Sequence, residues 1–317
     1  MSSEPRPEPA GEAGSLLERL ASLQLIVVTG KGGVGKTLIT ATLGRLLAFR
    51  GRTVLLMELD PRESLHHLLD VAPSGGEIVP AGSGLFLQNL QPRQVLDELV
   101  HERLKVGALS RRVLGSPIYQ QFAEGAPGLK ETGVLGRTLR LVDGHGPRVL
   151  RRPDAIILDA PATGHGVSLL RAPSLVAEVV RSGPVGHLAR QIAAFVADSQ
   201  RTGIVLVTSA EEMPIQETVE LVQDLDSTLG RRPELVIANA LYPPYSDARK
   251  PTRQSPALEL WKHRRRINEN QLARLGREWG GPLARVPLLP IDGGPQLLEA
   301  AELELRTALR AATSGAE

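Results

Sequence analysis

The chain has 317 residues, 42% of them hydrophobic and 23% charged, with a formal net charge of +2. A polypeptide of that length buries about three quarters of its unfolded surface, so it needs no partner merely to fold, and so small a charge does not mark a nucleic-acid protein. It contains no cysteine, which excludes disulfides, thiolate metal sites, iron–sulfur clusters and cysteine nucleophiles, and its longest apolar run, residues 192–197, is far short of the roughly twenty a membrane span needs.

Residues 1–14 are rich in Pro, Glu and Ser, lack an apolar core, and are expected to form a disordered tail rather than a targeting signal, with the cytoplasm as the expected compartment. A single domain is expected over residues 15–317. Residues 16–23 read as a short helix. The apolar run Leu25-Ile26-Val27-Val28 then suits a buried parallel strand, and residues 37–49 place apolar side chains at helical spacing.

Between that strand and helix lies Gly30-Lys31-Gly32-Gly33-Val34-Gly35-Lys36-Thr37, followed by Leu38. The spacing satisfies G-x-x-x-x-G-K-[ST] in full, in the strand-to-helix context that pattern requires. Glycine permits positive φ and close approach, so the loop can wrap its N–H groups around phosphate oxygens, and the helix N-terminus favours the same anion. Lys36 would reach the β- and γ-phosphates, and the Thr37 hydroxyl would coordinate Mg²⁺. Only six of the thirty-seven basic residues are lysines, yet two lie in this loop. ATP and Mg²⁺ are the expected ligands.

Residues 52–60 form a second apolar strand ending in Asp60 before Pro61. An acid at the end of a parallel strand lies where ligands bind in open α/β sheets; the alternative is that Asp60 caps a helix beginning near Arg62. An edge strand is expected at residues 85–90. Residues 91–142 read as several helices divided at Gly115-Ser116-Pro117 and Ala126-Pro127-Gly128, forming a helical insert beside the nucleotide-binding part.

Ala155-Ile156-Ile157-Leu158 is a further buried strand. It delivers Asp159 to the same layer as the loop, where a carboxylate can hold Mg²⁺ directly or through water. Thr163-Gly164-His165 follows in a turn able to sense the γ-phosphate, with His165 expected to be a capping or core residue rather than a catalyst. Strands are expected at 203–207 and at 235–239, the latter ending in Asn239, whose amide offers a donor and an acceptor to a base edge. The guanine-selecting Asn-Lys-x-Asp pattern is absent, with Ala240 and Tyr242 where its Lys and Asp would stand, which favours ATP over GTP. Residues 255–279 read as a long helix whose basic run at 262–266 is expected to be a solvated face, not a nucleic-acid contact. Residues 295–312 form a last helix.

Lys31 to Thr37, Asp60-Pro61, Pro127-Gly128 with Glu131, Asp159 with Thr163-Gly164-His165, and Leu169-Leu170-Arg171 together resemble the arsenite-pump (ArsA) and tail-anchored-protein targeting ATPase family. The resemblance covers residues 24–310. It implies an α/β P-loop NTPase fold, with a mostly parallel sheet flanked by helices and a helical insert, working as a nucleotide-switched homodimer. Lys31 would cross the dimer interface to the partner's nucleotide, Asp60 would polarise the attacking water, Asn239 would contact the adenine, and residues 286–290 would form an adenine-flanking loop. The chain departs from the family at Leu38, which replaces a second Thr, and at Arg62-Glu63. Without cysteine it cannot hold arsenite by thiolates or clasp a dimer through zinc. Methionine, which often lines the family's client groove, occurs only at Met1, Met57 and Met213, outside the insert, so the insert's apolar faces are expected to pack on each other and the client is unidentified. Two other readings are a partition or positioning ATPase, which shares the loop, and a nucleotide-binding scaffold without hydrolysis, against which Asp60 and Asp159 argue.

Overall fold

The computed structural model describes residues 15–60, 63–91, 95, 116, 128–161, 165–245 and 255–314. The expected tail, Pro61, most of the stretch 91–127, and Thr163-Gly164 lie outside these residues. A first helix, α1 (Ser15–Ser22), leads into β1 (Leu25–Thr29), and the phosphate-loop sequence connects β1 to α2 (Lys36–Phe49). Next come β2 (Val54–Glu58), α3 (Leu65–Leu69), β3 (Val79–Gly82), β4 (Leu85–Asn89), α4 (Leu129–Val142) and β5 (Ala155–Asp159). The chain continues through α5 (His165–Val179), α6 (Gly183–Ala197), β6 (Thr202–Ser209), α7 (Glu212–Leu229), β7 (Leu235–Leu241), α8 (Pro256–Trp279), β8 (Leu283–Pro287) and α9 (Gly294–Ser314).

The strands form one eight-stranded sheet in the order β3-β4-β2-β5-β1-β6-β7-β8. Every neighbouring pair is parallel except β3 with β4. Central strands are buried on both faces, which is why they read as unbroken apolar runs rather than as alternating ones. Alternate residues serve opposite cores. Ile26, Val28, Leu56, Ile157 and Ile237 pack with α1, α2 and α9, whereas Val27, Leu55, Ile156, Leu206 and Val236 pack with α4 to α8. The result is an α/β sandwich of three layers, the expected fold class.

Several elements differ from expectation. β4 is not the edge: β3 pairs antiparallel outside it, and Pro80 in β3 is tolerated because an edge strand can spare a donor. At the other edge, Leu283–Pro287 forms a strand on β7 where only a loop was expected, and Val286 and Pro287 belong to it. Helices α5 and α6 were not anticipated. α3 begins at Leu65, later than Arg62. In the stretch 91–142, α4 lays Val134, Leu135 and Leu139 into the core beneath the sheet. The basic run on α8 is occupied by its surroundings: Arg264 pairs with Glu211, Arg265 with Glu269 and Lys262 with Glu259.

The sheet matters to function through its C-terminal edge. Thr29, Glu58, Asp159, Ser209 and the Asn239 region end parallel strands at one level, because β1 stands between β5 and β6 with β2 and β7 one strand further out.

Candidate functional site

Gly30 leaves β1 with φ +146°, and a Cβ there would sit 2.0 Å from the Val207 carbonyl oxygen of β6. No side chain fits against that backbone. Gly35 caps the N-terminus of α2 at φ +91°, and its missing Cβ leaves room for the Asn239 amide, which would otherwise lie 2.3 Å away. Gly32 and Gly33 are exposed, Gly33 at φ +82°, so the crown of the loop is open to a ligand. Val34 is buried, and its carbonyl accepts a hydrogen bond of 2.9 Å from Asn239 Nδ2. Asn239 thus fastens the loop to the end of β7. Leu38, in the first turn of α2, packs its side chain against the core.

Lys36 Nζ donates to the Lys31 carbonyl at 3.0 Å, spanning the loop. Burial lowers its pKa, while the charges of Asp159 and then Asp60 hold it up. Thr37 Oγ1 donates to Asp159 Oδ2 at 2.7 Å. The other carboxyl oxygen, Asp159 Oδ1, is buried without a hydrogen-bond partner. Burial first, with the Glu58 charge adding, pushes Asp159 up from its ordinary 3.8 to about 6, against the hydrogen bond from Thr37 and the charge of Lys36. A hydroxyl and a carboxylate already in contact, with one carboxyl oxygen unspent and a glycine loop beside them, fit a hard divalent cation that also holds a phosphate.

Lys31 turns sideways and pairs with Glu217 of α7 in the same chain. The second oxygen of Glu217 is buried without a partner. Asp60 lies exposed beyond β2, and its carbonyl accepts from Asn89 Nδ2 at 2.5 Å and from Glu63 N at 3.2 Å. His165 begins α5, whose Gly166 sits so close to Thr29 that a Cβ would meet its Oγ1 at 2.2 Å, which places the start of α5 against the end of β1.

Three residues escaped the sequence reading. Glu58 ends β2 fully inside the protein, accepting from the N–H groups of Ser64 and Leu65, so this residue binds the first amides of α3. Burial raises its pKa, opposed by those two amides. A lone acid inside the apolar run Val54-Leu55-Leu56-Met57-Glu58-Leu59 was the available signal. Asn89, at the polar end of β4, had a similar one. Glu217, on an amphipathic helix rich in acids, had none.

A glycine-rich loop between a central parallel strand and a helix, with a Lys, a Thr and a strand-end Asp converging on it, defines a P-loop nucleotide-binding protein. Within that class, the profile of the anion-transporting ATPases matches residues 23–184, about half of the chain. The chain belongs to the anion-transporting ATPase family. ATPase BagA of Mycobacterium tuberculosis is 32% identical over 222 residues, covering 65% of this chain and 62% of that protein. An arsenical pump-driving ATPase of Escherichia coli is 27% identical over 266 residues, 78% of this chain and 44% of the pump protein. ATPase asna-1 of Caenorhabditis elegans is 24% identical over 332 aligned positions, 89% and 92% of the two chains. The match spans less than two thirds of the mycobacterial relative's length. Among the described residues no helix is long and apolar enough to cross a membrane.

Proposed function

We propose that this chain hydrolyses ATP with Mg²⁺ and that its nucleotide state governs the pairing of two copies and the holding of a client. The observation that carries the reading is the contact of Thr37 with Asp159 at 2.7 Å, with Asp159 Oδ1 unspent, beside a loop that only glycine can form.

The loop's N–H groups and the N-terminus of α2 bind the phosphates, and Lys36 leaves the Lys31 carbonyl to neutralise the β- and γ-oxygens. Thr37 and Asp159 hold the cation, which when bound draws charge from the phosphate oxygens. Asp60 orients the attacking water in line with the γ-phosphate. Lys31 supplies positive charge to the partner copy's nucleotide, and so must leave Glu217 when two copies meet. Asn239, while gripping Val34, would offer the rest of its amide to a base, and adenine is the base expected. The client is a protein or other group of unidentified chemistry; thiolate-bound arsenite is not among the candidates in a chain without cysteine. The proposed compartment is the cytoplasm.

Phosphate release from Mg-ATP by the purified chain tests this. Turnover is expected, and Lys36→Ala should abolish it. A wild-type chain that releases no phosphate, or a Lys36→Ala chain that releases it at the wild-type rate, overturns the reading.

A further inference from the structure

Glu58 is 1% exposed and Asn89 is 2% exposed, and they stand opposite each other in the β2–β4 register. Two polar side chains at matched positions inside a core are costly unless every polar atom they bring is used. Among the described residues no Lys or Arg pairs with Glu58. Its carboxyl group is spent on backbone: Ser64 N donates to both oxygens, at 2.8 and 2.9 Å, and Leu65 N donates to one at 3.3 Å. The chain therefore leaves β2 at Glu58, passes Asp60, and returns to be tied to the same Glu58.

Asn89 grips the middle of that excursion. Its Nδ2 donates to the Asp60 carbonyl at 2.5 Å, and its own N–H donates to Ser74 Oγ at 2.8 Å. Ser74 N donates to the Glu63 carboxylate at 2.8 Å, and Glu63 N donates back to the Asp60 carbonyl at 3.2 Å. The four residues close a ring of hydrogen bonds around one carbonyl oxygen. Glu63 holds φ +46°, an uncommon backbone conformation for a residue with a side chain, which persists only where surrounding contacts over-determine it. Asp60 is near enough to the loop for its charge to act on Lys36.

We propose that Glu58 and Asn89 are positioning residues for Asp60, a two-point clamp that fixes the backbone of its turn relative to the phosphate loop. The inference rests on the reading of Asp60 as the group that orients the attacking water. Hydrolysis needs that water aligned, whereas nucleotide binding is carried by the loop and Lys36; Glu58 reaches the cation site only through its charge on Asp159, its neighbour in the β2–β5 register. A misplacement of an orienting group by about 1 Å can cost on the order of 100-fold in rate, so the clamp should govern turnover and leave affinity alone.

The test uses the full chain with Glu58→Gln, which keeps the shape but replaces one acceptor by a donor that opposes the Ser64 and Leu65 amides. The rate constant kcat for Mg-ATP is expected to fall about tenfold or more, with the dissociation constant of a fluorescent ATP analogue, measured without Mg²⁺ so that the Glu58 charge on Asp159 does not enter, changed by less than about twofold. Placed in an Asp60→Asn background, the same change should produce no further loss, because a residue that acts through Asp60 has nothing left to act on. Glu58→Gln with kcat within about twofold of wild type overturns the clamp. So does a loss of affinity in step with kcat, or an equal loss in the Asp60→Asn background. Should Glu58→Gln fail to fold, Asn89→Leu, similar in size and lacking the donor to Asp60, carries the same comparison. An Asp60→Asn chain that turns over at the wild-type rate overturns the reading of Asp60 and the clamp with it, whereas a slow Asp60→Asn chain beside a fast Glu58→Gln chain overturns the clamp alone.

Discussion

The two flanks of β5 and β1 are built in different ways. On the loop side, Lys36, Thr37 and the glycines are consecutive in sequence, and one strand-to-helix turn sets their places; only Asp159 and Asn239 arrive from elsewhere. On the β2 side, Asp60 is held by residues from β2, β4 and the β3 approach, through bonds that span up to 29 positions. The loop side keeps its shape because glycine alone can take its positive φ angles and close approaches, and because Asn239 fastens it to β7. The β2 side is placed by side chains that must each find their partner. Binding therefore belongs to a local feature and water orientation to a distributed one, and substitutions should separate the two.

The largest effect is expected on the local side. Lys36→Ala removes the cation that meets the β- and γ-phosphates and should lower kcat by roughly 100- to 1,000-fold, as the loss of one preorganised group does elsewhere. Phosphate release measured together with binding of a fluorescent ATP analogue checks this, and affinity should fall as well, unlike the Glu58→Gln case. If affinity is kept, phosphate binding does not depend on the local side in the way described.

Next in size is a pH effect on stability at the junction of the two sides. The Asp159 carboxyl has its folded pKa raised to about 6, above an ordinary 3.8. A carboxyl raised in this sense favours the fold fully below its unfolded pKa and loses that contribution as the pH rises through the folded value. In nucleotide-free protein with a chelator, Asp159→Asn should therefore gain on wild type between pH 4 and pH 7.5 by about 3 kcal/mol at most, from 1.36 kcal/mol per pKa unit. Urea unfolding at the two pH values measures it. A stability difference that does not change with pH would mean that Asp159 is not burdened by its burial.

Gly35→Ala comes third. The new methyl would lie 2.3 Å from Asn239 Nδ2 and the residue would have to hold φ +91°. Strain of that kind costs about 1–3 kcal/mol, and displacing Asn239 would also break its bond to the Val34 carbonyl. Thermal unfolding should drop, and nucleotide affinity with it, because Asn239 and the loop are one fastening. A drop in stability with affinity intact would separate them.

These contrasts also mark what was legible in the residues. The loop, β1, β5 and β7 were readable because each is a local pattern: an apolar run of four or five residues that ends in a glycine or a polar side chain. Asp60 was readable by its place after such a run. β3 was not, since Val79-Pro80-Ala81-Gly82 has little strand character and is a strand only because β4 lies beside it. Helices α5 and α6 pack on each other and on the sheet, so their apolar residues lie on more than one face and Pro173 interrupts the first of them, blurring the period that sequence reading relies on. Glu58 stood in plain view as an acid inside a buried run, yet its partners, the amides of Ser64 and Leu65, carry no side-chain signature at all. Main-chain partners are invisible to a reading of residue types.

The smallest effect is expected at Lys31. Its pair with Glu217 is about one-third exposed on each side, 31% and 32%, and ion pairs this wet are worth no more than about 1 kcal/mol. That weakness is what the dimer proposal requires: a lysine held too tightly in its own chain could not transfer to a partner's phosphates. Glu217→Gln removes the competing charge and leaves a side chain of the same shape, so thermal stability should change by less than about 1 kcal/mol while the ATP-bound chain pairs more readily. Sedimentation of the Asp60→Asn chain with Mg-ATP, with and without Glu217→Gln, reads the dimer fraction under conditions where hydrolysis is blocked. Each copy gives up one such pair on dimerisation, so the dimer dissociation constant should fall by up to roughly thirtyfold, the equivalent of about 1 kcal/mol for each of the two pairs. An unchanged or weaker dimer would mean that Glu217 does not compete for Lys31, and that the lysine's contact with α7 has nothing to do with pairing.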